Sequence, residues 1–167
     1  MEKKPMALAS LIHRMEDLPA RAGPLPRMTP ANPQEQLEHY PEDWAIITQL
    51  VEFAFGLPDV IEGPTRIAPP GSRAMILHAG VASNEAAFLV GREFGHIHNP
   101  PIGSMHLTLP EPARTHALAK RWIVRHPFAV RGVGPAAAVF VFAPRDHTEL
   151  EFAKLLIEIS HAFATKN

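Results

Sequence analysis

The stretch from Arg92 to Pro110, REFGHIHNPPIGSMHLTLP, constrains the fold more than any other part of the chain. Two runs of alternating residue type flank NPPIG, a turn composition that no helix or central strand accommodates. With residues 99–103 as the loop of a hairpin, His98 faces Ser104 and His96 faces His106. Alternation then puts Arg92, Phe94, His96 and His98 on one face, together with Ser104, His106 and Thr108 of the partner strand. Ile97, Met105, Leu107 and Leu109 share the other face, and Glu93 points away from the histidines. This is the pattern of an antiparallel sheet with one core face. A slip of one residue would expose the four apolar side chains, whose burial is worth roughly 1.5–3 kcal/mol each. A bulge at Gly95 or Gly103 would upset the assignment of faces.

Directly opposed Cβ atoms lie about 4.5–5.5 Å apart, so three imidazoles on one face can converge on a point. Three readings are open. In the first, His96, His98 and His106 ligate a divalent transition metal, zinc or iron, with a position left free for water or substrate. The H-x-H spacing has the logic of a cupin ligand pair, but the acidic ligand that normally follows it is missing. In the second, the same histidines are acid–base groups of a metal-free pocket, because neighbouring imidazoles disfavour each other's charged forms. Arg92 would hold an anionic group and Ser104 would orient the ligand. In the third, the histidines line a solvated or structural sheet face. On an exposed polar face, replacing His96 or His106 by alanine should change stability by no more than about 0.5 kcal/mol, whereas Leu107→Ala should cost about 2–5 kcal/mol. His78 would join the cluster if its strand neighbours the hairpin. Arg145 would reach an anion near the last helix N-terminus, where Asp146 reads as the cap.

The remaining text supplies the frame. The 167 residues are 46% hydrophobic, enough for one core, and 16 basic against 17 acidic side chains leave a formal charge of −1. That balance gives no general attraction to nucleic acid or an anionic membrane, so the expected partners are a small-molecule ligand and further copies of the chain. The chain has no cysteine, which excludes disulfides, thiolate ligands and thiol catalysis. The apolar run Met6–Ile12 follows Lys3 and Lys4 but gives way at once to HRMED, so we read a cytoplasmic start, with a secretory leader as the alternative. No segment reaches the roughly 20 apolar residues of a membrane span. Residues 1–41 form a Pro-rich arm and residues 42–167 a single α+β domain. Within it we expect a helix after Glu42, with Trp44, Ile47, Val51 and Ala54 on one face, then an antiparallel meander up to Leu109. A helix over about Glu111–Val124, a strand at Ala136–Phe142 and a capped last helix follow. On that helix Phe152, Leu156, Ile159 and Phe163 form the apolar stripe. The fold class is α+β, a mainly antiparallel sheet with helices packed on one face.

Several strings together resemble the luciferase-domain family: FLVGREFGHIHNPPIGSMHLTLP, RHPFA, and VFVFAPRDHTELEFAKLLIEISHAFA, preceded by the Pro-rich GPLPRMTPANPQEQL. The family name implies light-emitting oxidation, but no residue pattern here marks a luciferin site. Where the family often has an acidic residue before the Gly-Ser of the hairpin loop, this chain has Ile102. Two functions of different class follow. One is an enzyme of unassigned reaction built on the histidine pocket; the other is a non-catalytic binding or self-assembly module using the sheet edge and the arm.

Overall fold

The computed structural model of the chain describes residues 6–166. Lys3 and Lys4 lie outside them. Helix α1 (Leu8–Glu16) forms where the sequence shows only a short apolar run, and it buries Leu11 and Met15. Helix α2 (Trp44–Phe55) starts where the Asp43 carboxylate accepts the Ala45 N–H. Strands β1 (Val60–Pro64), β2 (Arg73–Leu77), β3 (Glu93–Ile97) and β4 (Met105–Thr108) follow, then α3 (Glu111–Ala119), β5 (Ile123–Arg125), the single turn α4 (Pro127–Val130), β6 (Ala138–Val141) and α5 (His147–Thr165).

All strand pairs are antiparallel, in the order β1-β2-β3-β4-β6-β5. The fold is therefore α+β, with a fully antiparallel sheet. One face carries Met75, Leu77, Ile97, Met105, Leu107, Val139 and Val141. These merge into a single core with Leu11 and Met15 of α1, Ile46 and Leu50 of α2, Ala113 of α3, and Leu156 and Ile159 of α5. Four helices thus cover one side of the sheet. Among the described residues no helix is long and apolar enough to cross a membrane.

The stretch after α1 is extended and laced to the domain. Trp122 Nε1 donates to Pro19 O (2.9 Å), and Arg21 N donates to Lys120 O (2.8 Å). Residues 27–37 double back on themselves, with Thr29 N donating to Glu35 O and Leu37 N to Arg27 O (both 2.9 Å). Gln36 is fully buried and pins this small hairpin: its Oε1 accepts from Ala143 N (2.9 Å) and its Nε2 donates to Glu38 O (2.7 Å) and His39 O (3.0 Å). The tip at Asn32–Gln34 consequently sits over the sheet face opposite the helices, beside the histidines.

Three sequence expectations need correction. Trp44 is 63% exposed, and the inner face of α2 is Ile46, Ile47, Leu50 and Ala54; the stripe is rotated because two faces of this helix are apolar in sequence. The middle helix stops at Ala119, since Arg121 takes a positive φ of 65°. The β-branched Ile123 and Val124 then pair with β6 as an edge strand. On α5, Phe152 and Phe163 are only partly buried, at the margin of the core, while Ala153, Leu156, Ile157 and Ser160 are buried. Asp146 caps that helix as expected, accepting the Glu149 N–H (2.9 Å).

Candidate functional site

The hairpin has the register read from its sequence: His96 pairs with His106, Ile97 with Met105 and Gly95 with Leu107. The row continues sideways, with Ala74 beside His96 and Phe140 beside His106. The histidines therefore stand on the non-helical face, above an aromatic floor. His106 meets the Phe140 ring edge-on with centroids 5.2 Å apart.

Strict alternation fails one residue earlier. Between β2 and β3 the pairing shifts, so that Met75 opposes Gly95 but Ile76 opposes Glu93. The bulge turns Glu93 onto the histidine face and Phe94 into the helical core, where it packs beside His161. Glycine is required at position 95: a Cβ there would lie 2.5 Å from Leu107 Cδ2 and 2.8 Å from both Met75 Cε and His106 O. The expectations that Glu93 points away and that Phe94 joins the polar face are thereby overturned. Thr108 also departs from that face. Its hydroxyl donates to Ala87 O (2.7 Å) and lies 3.4 Å from Ser160 Oγ on α5.

The resulting cluster is tight. His96 Nδ1 is 2.7 Å from Glu93 Oε1, which also accepts from Thr65 Oγ1 (3.1 Å). His96 Nε2 is 3.0 Å from His106 Nδ1, and His106 Nε2 is 3.3 Å from Gln34 Oε1. His98 Nδ1 is 2.8 Å from Ser104 Oγ, whereas His98 Nε2 is buried with no hydrogen-bond partner among the described residues. One nitrogen from each of His96, His98 and His106 lies within 4.8 Å of the other two. The three side chains are 1%, 2% and 6% exposed. Burial, with His96 as the next cause, pushes His98 down to about 3, and burial followed by His96 and His98 holds His106 well below the usual imidazole range. Both rings are neutral at pH 7. The solvated-face reading is incompatible with this burial, and so is the expectation that an alanine here would act as a surface substitution.

Above the cluster opens a cavity of about 600 Å³, walled by Asn32, Pro33 and Gln34 of the arm, by Arg66–Pro69, and by Leu89, His126, Phe128, Pro135 and Ala138. Its size is that of a small-molecule pocket. His126, which reads in sequence as a turn residue, caps α4 by accepting Phe128 N–H on Nδ1 (3.1 Å) and lies edge-on to His106, centroids 5.0 Å apart. Glu93, Gln34 and His126 are the site neighbours that the sequence reading missed. H-P before a possible helix turn was a signal for the last; nothing local marked Gln34.

The other candidates lie elsewhere. Arg92 donates to Leu77 O (3.0 Å), His78 O (2.8 Å), Val81 O (2.8 Å) and Ser83 Oγ (2.9 Å), tying down the loop after β2 rather than facing the cavity. His78 is exposed in that loop and accepts Gly80 N–H (3.2 Å). Arg145 is paired with Glu149 at the start of α5 (Nε to Oε1, 2.9 Å). Ser104 is fully buried and holds His98 instead of lining the cavity. Two of these departures have a local cause: the bulge before Gly95 breaks the face that Arg92 would have shared, and the loop after β2 carries His78 away from the row.

Residues 91–160 match the family model of the luciferase domain, a span that holds all three hairpin histidines and His126. Over this span the chain is similar to the luciferase-domain family. Its curated relatives include luciferases of Armillaria ostoyae, 28% identical over 92% of this chain, and Armillaria gallica, 27% identical over the same share. A luciferase of Neonothopanus nambi is 29% identical over 52% of the chain. The chain spans 63% of the length of the Armillaria proteins and 33% of the Neonothopanus one. No solved structure matches. The luciferase-domain match leaves out Gln34 and the Arg66–Pro69 wall, which this chain supplies from outside the matched span.

Proposed function

We propose that His96, His98 and His106 hold a divalent transition metal, zinc or iron, at the floor of the cavity, and that the chain is an enzyme acting on a small organic molecule bound above it. The observation that carries this reading is the orphaned Nε2 of His98. A buried polar atom without a partner costs about 1–3 kcal/mol, and a neutral imidazole that donates its Nδ1–H to Ser104 Oγ presents Nε2 as a lone pair. His98 has the arrangement of a metal-ligating histidine, one ring nitrogen held by a protein oxygen and the other unclaimed, and His96 has its Nδ1 held by Glu93 while its Nε2 faces His106. Tetrahedral zinc with Zn–N near 2.0–2.1 Å needs donors roughly 3.3 Å apart, and the 3.0 Å between His96 Nε2 and His106 Nδ1 suits that spacing.

With a position open to the cavity, zinc favours hydrolytic and iron favours oxidative chemistry. The luciferase names of the relatives favour the oxidative branch. A metal-free reading has its own support in the unbroken line Glu93–His96–His106, which would pass a proton across the floor of the pocket. Elemental analysis of protein purified without a histidine tag separates the two. The metal reading expects about one equivalent per chain. A content well below one, unchanged after incubation with zinc, ferrous iron, nickel or copper, removes it in favour of the proton relay.

A further inference from the structure

The cavity wall is unbalanced in its hydrogen-bonding capacity. Arg66 is the sole charged side chain in a lining that contains neither aspartate nor glutamate, and its guanidinium has no partner among the described residues. His126 Nδ1 accepts the Phe128 N–H, so the proton of its neutral ring is on Nε2, which likewise has no partner among the described residues. The pocket thus offers two unclaimed donors. Around them the surface is apolar: Ile67 is 50% exposed and Phe128 is 39% exposed, both at the cavity, with Leu89 and Ala138 deeper. Surface isoleucine and phenylalanine beside an open cavity mark a place where an apolar body is missing.

We infer that the pocket takes an apolar organic anion, of the carboxylate or sulfonate class, whose acidic group pairs with Arg66 while its hydrophobic body lies against Ile67 and Phe128. His126 Nε2–H donates to a second acceptor oxygen nearer the histidine floor. The inference deepens the ligand-pocket reading and rests on it, but it does not depend on whether a metal is bound. A planar guanidinium supplies two parallel N–H donors to such a group and stays charged at every working pH. No carboxylate in the lining opposes the anion.

Two dyes that differ only in their acidic group provide the test: 1-anilinonaphthalene-8-sulfonate and the uncharged N-phenyl-1-naphthylamine. Binding of each to the full chain is followed by the Hε1 signals of the cavity histidines, which confines the readout to this site. The expected result is that both dyes shift those signals and that Arg66→Gln weakens the sulfonate dye by about three- to tenfold, leaving the neutral dye unchanged. Arg66 is exposed and unpaired, so the variant folds. Equal affinities of the sulfonate dye for wild type and Arg66→Gln, or equal losses for both dyes, overturn the anion assignment while the pocket stands. Failure of both dyes to move the imidazole signals overturns the ligand pocket and the anion assignment together.

Discussion

Metal-free protein should lose stability as the pH falls from 7 to 5, and His98 sets a calculable part of the loss. In the folded chain its imidazole is pushed down to about 3, first by burial and then by His96. In the unfolded chain it titrates near 6.5. A group with a depressed native value takes up its proton on unfolding, so its contribution is fully present above the unfolded value and is lost as the pH falls below it. At pH 5 the unfolded ring is almost fully charged while the native ring is still neutral. The gap of about 1.5 pH units, at 1.36 kcal/mol per unit, is about 2 kcal/mol. That magnitude at pH 5 holds for any native value below about 4, and with the native value at about 3 it would grow to about 4 kcal/mol near pH 3. His106 adds in the same direction, again through burial. Against a total of about 5–15 kcal/mol for a domain, His98 alone is a visible fraction. Urea unfolding at pH 7 and pH 5, with EDTA present, measures it. His98→Asn cannot be protonated, so its loss between the two pH values should be smaller than that of wild type by about 2 kcal/mol. Equal losses in the two proteins, or a wild type as stable at pH 5 as at pH 7, would refute the argument that this ring is buried neutral.

Other perturbations test separate parts of the structure. Leu107→Ala removes a fully buried core side chain beneath the cluster and should cost about 2–5 kcal/mol in urea unfolding; a cost under about 1 kcal/mol would mean that the helical face is not packed at this position. Glu93→Gln keeps the shape but removes the carboxylate that holds His96. Zinc affinity by competition with a chelating dye should weaken by about 10–100-fold, and an unchanged affinity would detach Glu93 from the site. Deleting residues 1–19 removes Leu11 and Met15 from the core and should lower stability by about 3–6 kcal/mol. If the shortened chain instead unfolds at the wild-type urea midpoint and merely dissociates from a dimer, the arm acts between subunits.

How much of the fold was legible depended on whether period and punctuation agreed. The hairpin register was readable because slipping it would expose four apolar side chains at once, a penalty no competing arrangement offsets. Capping was readable at Asp146, where a short carboxylate precedes an apolar-periodic run. Helix α1 was hidden by its setting, nine residues in a proline-rich leader with no side-chain cap. Its stability comes from packing against α5 and α3, which local pattern does not encode. The end of α3 was misplaced because Leu118 and Trp122 keep helical spacing although Arg121 breaks the backbone between them.

The site was half legible for a related reason. Parity brought His96, His98 and His106 together, since each is an even step along its strand from the turn. Parity also assigned Glu93 to the wrong side. The bulge depends on a glycine whose missing Cβ gives Leu107 and Met75 room to close beneath it, a three-body packing condition that alternation along one strand cannot express. The same device has a chemical consequence. A regular β3 would leave the histidines on an aromatic floor with no carboxylate, and Phe94 would stand among them. The irregular β3 exchanges that ring for a buried acid 2.7 Å from His96 Nδ1, which fixes the tautomer and turns Nε2 toward the cluster. The feature that defeats strict alternation is therefore the one that prepares the imidazoles for coordination or proton transfer, and Gly95 is the residue on which both the packing and the chemistry depend.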